Sequence, residues 1–160
     1  MTKNKFILCL AFFSLWVLNA FGQSKALTFQ EAAKSGIAMQ HLDNIYKSAV
    51  HEDVKLAVFK THAEQENFKA AYMKLLQDLG SFLKANNFKW ENQTRCFNRI
   101  YLNADGSIDY FLYNFPKNQI TAKKEKEFTR LLNLFIRDYK FALTANEKFA
   151  QCSPVKYSDN

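Results

Sequence analysis

Apolar residues recur along this chain at two different periods. In the first half the period is helical. Phe68, Tyr72, Leu75, Leu76, Leu79, Phe82 and Leu83 fall within about 120° at 100° per residue, the width of a core-facing helical stripe. Thr61 and Glu64 have capping-box spacing at the start of that stripe, and Asn86-Asn87 can close it in the left-handed conformation. Thr28 and Glu31 repeat the capping pattern upstream. Leu42, Ile45, Tyr46 and Ala49 then recur at helical spacing. The pattern predicts helices across 28–86, broken at Gly36 and at His51-Glu52-Asp53.

In the second half the period shortens. Residues 96–102 and 107–115 read as two strands around a turn, the second ended by Pro116 and Asn118. Thr121 can cap a helix from 122 to about 139 whose buried stripe is Phe128, Leu131, Leu132, Phe135 and Tyr139. A last strand near 149–152 is expected to stop at Pro154. The order predicts an α+β fold of N-terminal helices followed by strand-strand-helix-strand. Its sheet is expected to be three-stranded and antiparallel, with helices packed on one face.

The turn between the first two strands, Asn103-Ala104-Asp105-Gly106, looks at first like a calcium loop. With Gly106 at the sixth position, an EF-hand would need acidic groups where Tyr101 and Leu112 stand, so a metal is not expected. Two hairpin registers remain. An Asp105-Gly106 two-residue turn sets Tyr101 opposite Tyr110. A four-residue type I turn with Gly106 in the left-handed region sets Leu102 opposite Ile108 and Ile100 opposite Tyr110. The second separates residue types and is the expected one. It places Ile100, Leu102, Ile108, Tyr110 and Leu112 on one face, and Phe97, Arg99, Tyr101, Asp109, Phe111, Tyr113 and Phe115 on the other.

The N-terminus changes the picture of where this domain works. Lys3 and Lys5 precede an apolar run over 6–18 and small residues at Ala20 and Gly22. This is the pattern of a signal peptide at 1–22, and a run of about 13 residues is short for a membrane span. The expectation is an exported chain, periplasmic or secreted, soluble after cleavage, with a single domain at 23–160. Its formal charge of +7 includes Lys3 and Lys5. The remaining excess gives no reason to expect a nucleic-acid partner. Cys96 and Cys152 are the two cysteines outside the leader, and an even count in an oxidising compartment predicts a disulfide between them.

Candidate chemistry is sparse. His51 lacks the second histidine of a zinc-protease helix, and the chain has no G-x-S-x-G elbow, P-loop or dinucleotide fingerprint. The balance weighs against an enzyme, and no cofactor is called for. Lys123, Lys126, Arg130 and Arg137 fall together on the predicted helix opposite its apolar stripe, a candidate face for an anionic partner such as an envelope surface.

Residues 95–157 resemble the C-terminal domain of TonB-type energy transducers in "RIYLNADGSIDYFLYNF", in the helix through "RLLNLFIRDYKF" and in "EKFAQCSPVKY". The resemblance implies strand addition at the edge of the last strand, at Phe149, Ala150 and Gln151. Ala142 stands where the family often has Pro, and the family's Pro-rich spacer is absent. The expected function is therefore non-catalytic binding of an envelope protein, not energy transduction. The binding surface would be that edge or the aromatic sheet face with Phe97, Arg99, Tyr101, Phe111 and Tyr113. Two alternatives stay open: a small apolar-ligand-binding protein, and a hydrolase without a recognisable motif.

Overall fold

The computed structural model describes residues 24–159, so the leader read at 1–22 lies outside the described residues. Both capping boxes form. Thr28 opens helix α1 (Phe29–Lys34), and Thr61 opens α3 (His62–Ala85). In each, the Thr hydroxyl accepts from the Glu three residues on, whose carboxylate accepts from the Thr N–H. Asn87 at φ 60° ends the long helix as expected. Between these lie the short α2 (Met39–Ile45) and a single 3-10 turn. Helix α4 (Ala122–Asp138) follows the hairpin.

The sheet corrects the expected architecture. Five strands, not three, lie in the order β1-β4-β3-β5-β2 and form a mixed sheet. The predicted antiparallel trio β3 (Thr94–Leu102), β4 (Ile108–Asn114) and β5 (Phe149–Tyr157) is its centre. β1 (Lys25–Thr28) adds in parallel to β4, and β2 (Lys47–Ser48) adds in parallel to β5. The added strands have four and two residues, too short for alternation to be visible.

Nor do the helices keep to one face. α3 and α4 cover one side, where Phe68, Leu75, Leu79, Phe128, Leu131 and Leu132 meet Ile100, Leu102, Ile108 and Phe111 in a single core. α1 and α2 cover the other side, packing Ala32, Leu42 and Tyr46 on Tyr101 and Leu112.

The hairpin turn forms as read. Gly106 N–H donates to the Asn103 carbonyl at 3.0 Å, and Gly106 sits at φ 82°. The register beyond it does not hold. Leu102 pairs with Ile108, but Tyr101 then pairs with Tyr110 and Ile100 with Phe111. Asp109 is therefore the extra residue of a β-bulge. One inserted residue inverts every later side chain, and Phe111 and Tyr113 turn into the α3/α4 core. The expected separation into an aliphatic face and an aromatic face is lost.

β5 also runs on through Pro154, where the sequence predicts a stop. The Lys148 and Ala150 carbonyls accept from Lys47 and Ala49 N–H, so even-numbered residues of β5 direct their backbone groups away from β3. Pro154, paired with Phe97, thus has its ring nitrogen on the outer edge, where no ladder hydrogen bond is lost.

The tip of the hairpin is docked. Phe141 N–H donates to the Gly106 carbonyl at 2.9 Å, and Ala145 N–H donates to that of Ala104. Asp105, once a calcium-ligand candidate, accepts from Lys140 and Ser107, and these bonds, Lys140's foremost, hold its carboxyl well below the usual carboxylate range. A Cβ on Gly106 would lie 2.8 Å from the Phe141 carbonyl oxygen. Gly106→Ala is expected to destabilise the fold by about 2 kcal/mol, combining left-handed strain with that clash. The shift in urea midpoint measures it.

Candidate functional site

The two sides of the sheet differ in how completely they are covered. At about 1.5 Å per residue, the 24 residues of α3 outreach the roughly 30 Å of a nine-residue strand. α1 and α2 have six and seven residues and reach only about 10 Å each. They cover the end of the sheet near Tyr101 and Leu112 and leave the other end bare.

That difference sorts the expected binding residues. Tyr101, Phe111 and Tyr113 have no exposed surface, and Phe149 has none either, so none of the four offers a contact. Tyr101 lies beneath α2, while the bulge sends Phe111 and Tyr113 beneath α3 and α4. At the edge, Phe149 and Ala150 are already paired with Lys47 and Ser48 of β2. Gln151 follows at the point where the edge opens. Phe97 is different: it is 39% exposed and meets Phe29 edge-on at 6.2 Å.

Cross-strand pairing places Arg95 opposite Lys156, Phe97 opposite Pro154 and Arg99 opposite Cys152. All six side chains belong to the sheet face that carries α1 and α2. Two hollows lie along this track. The smaller, about 370 Å³, is lined by Asp43, Tyr46, Arg99, Ala150 and Cys152 among others. The larger, about 690 Å³, is an open groove with apolar walls from Phe97, Pro116 and Pro154, and with Arg95 and Lys156 as its charged members.

The smaller hollow is organised by α2. Asp43 accepts from the Arg99 guanidinium at 2.5 Å and from the Tyr101 hydroxyl at 3.1 Å. Arg99 also lies over the Tyr101 ring at 5.9 Å, and its Nε–H is buried without a partner among the described residues. The bulge residue Asp109 accepts from Tyr46 at 2.7 Å and from Lys148 at 3.0 Å. Burial, followed by the hydrogen bond to Asp109, pushes the Tyr46 hydroxyl far up. These bonds hold α2 to the sheet and present no nucleophile paired with a base.

The predicted disulfide is absent: both cysteines are free. Cys96 pairs with Val155 and Cys152 with Arg99, an odd offset that puts the two thiols on opposite faces of the sheet. Cys96 donates to Asn98 Oδ1 at 3.3 Å inside the core, and burial pushes its thiol up to about 12. Cys152 is exposed. Burial raises its thiol too, and Arg99 opposes that rise.

On α4, the expected anionic-partner face is partly neutralised. Arg130 is paired with Glu127 at 2.8 Å and Arg137 with Asp138 at 2.7 Å, leaving Lys123 and Lys126 exposed. Among the described residues, no group of three or more metal-ligating side chains is assembled, and no helix is long and apolar enough to cross a membrane. The groove's cationic pair escaped the sequence reading. Finding it requires the β3/β5 register, which a single sequence does not supply.

Compared with protein-family models, curated proteins and solved structures, the chain matches none.

The thiol geometry has a direct test. With Cys9 removed together with the leader, native protein is expected to release one equivalent of thionitrobenzoate from Ellman's reagent, from Cys152. A second equivalent should appear only on unfolding. Two prompt equivalents would contradict the burial of Cys96, and none would indicate a bridge.

Proposed function

We propose that this chain is an exported, non-catalytic binding protein of the cell envelope or secreted fraction that takes a protein partner on the bare half of its sheet face. The observation that carries this is Phe97. It is a large aromatic left 39% exposed, set between two prolines in a groove rather than scattered alone. Contiguous apolar surface rimmed by polar groups is a mark of an interaction site.

The sheet face is a better candidate than the strand edge. β2 occupies the edge at Phe149 and Ala150. Beyond it, Pro154 removes a donor from the outward row, a feature that blunts edge-to-edge pairing. The export half of the proposal rests on the leader pattern at 1–22.

A second reading has one observation in its favour. A groove of about 690 Å³ lies within the range of small-molecule sites. However, α1 and α2 pack directly on Tyr101 and Leu112 and enclose no pocket there. Its open wall suits a partner chain better than an engulfed ligand.

The test compares two exposed apolar residues on opposite faces. Phe97→Ser is expected to remain folded and to lose a partner captured from envelope extract. Met73→Ser, on α3 and 55% exposed, is expected to keep it. Retention of every partner by folded Phe97→Ser would overturn the sheet-face proposal.

A further inference from the structure

Resting on the sheet-face reading, we infer that the partner segment is acidic: an extended stretch with carboxylates flanking one bulky apolar residue. Arg95 and Lys156 are direct cross-strand partners, both exposed, and neither joins an ion pair among the described residues. Like charges in this position destabilise a sheet. Ion pairs elsewhere show that the fold readily matches exposed charges, as in Lys47 with Glu147 and Lys124 with Glu91. The mismatched pair stands at the apolar groove, and no acidic residue lines that groove.

Charge complementarity therefore selects the occupant. A carboxylate over Arg95 and Lys156 would relieve their mutual repulsion, while an apolar side chain fills the hollow between Phe97 and Pro154. A second copy of this chain is a poor candidate, because it carries the same excess of positive charge. From Ala150 to Lys156 the outward face of β5 spans about 20 Å, the length of roughly six extended residues. An occupant lying over this face needs no hydrogen bonds from the outer edge, so Pro154 does not exclude it.

At this pair binding and stability are opposed. Lys156→Glu would turn the repulsive pair into an attractive one with Arg95, so the fold is expected to gain about 1–3 °C in Tm. The same change removes the site's charge for an acidic segment. A residue serving the fold alone would not show this opposition.

The probe is a set of fluorescein-labelled six-residue peptides, each with two Glu flanking one Phe, Leu or Trp, read by fluorescence anisotropy. A matched set has Lys in place of Glu. At least one acidic peptide is expected to bind the native chain, and no Lys peptide should. Arg95→Glu and Lys156→Glu should each weaken that binding at least tenfold, with Tm raised in Lys156→Glu. Binding by none of the acidic set, or binding unchanged by both charge reversals, would overturn the inference. If Phe97→Ser still loses its envelope partner in that case, the sheet-face reading stands and the acidic chemistry alone fails. Binding to phosphatidylglycerol vesicles but not to any peptide would also overturn the inference, in favour of a membrane surface.

Discussion

The extra residue at Asp109 decides the character of both sheet faces. Without the bulge, β4 would continue the pairing begun by Leu102 and Ile108, and seven rings or charges would gather on one side. With it, Phe111 and Tyr113 enter the α3/α4 core, and Tyr110 and Leu112 turn toward α1 and α2. A bulge leaves its residue unpaired in the ladder. Here the freed side chain accepts from Tyr46 and Lys148. The same residue that shifts the register thus ties down the C-terminal end of α2 and the segment entering β5.

The bare end of the sheet follows from a mismatch of lengths. Nine-residue strands lie under helices of six and seven residues on one side and of 24 and 17 on the other. Phe97 keeps only an edge contact with Phe29 at the start of α1, Pro154 is exposed, and the Arg95–Lys156 pair meets solvent. Coupling between fold and site is therefore geometric: the elements that complete the sheet are too short to close its surface.

Much of this was legible in residue patterns. The two Thr–Glu capping boxes, the α3 and α4 stripes, the left-handed Asn87 and the Gly106 turn all depend on near neighbours, and all form. What the patterns could not show depends on partners distant in sequence. Lys25–Thr28 and Lys47–Ser48 have no alternation of their own and become strands because β4 and β5 offer edges. Pro154 looked like a stop because its outward orientation follows from pairing with Phe97. Two cysteines in an even count suggested a bridge, but the β3/β5 register sets their thiols on opposite faces. Of the binding residues expected from the hairpin, Phe97 keeps a substantial exposed surface; Arg99 is largely committed to Asp43 and Tyr101.

Cross-strand nuclear Overhauser contacts between backbone protons of β3 and β4 test the bulged register on which both sheet faces depend. The bulged pairing predicts contacts linking Tyr101 with Tyr110, Ile100 with Phe111 and Arg99 with Leu112, together with Leu102 to Ile108 at the turn. Contacts joining Ile100 directly to Tyr110, with the pattern unbroken through Asp109, would contradict it. They would return Phe111 and Tyr113 to the face that carries Phe97.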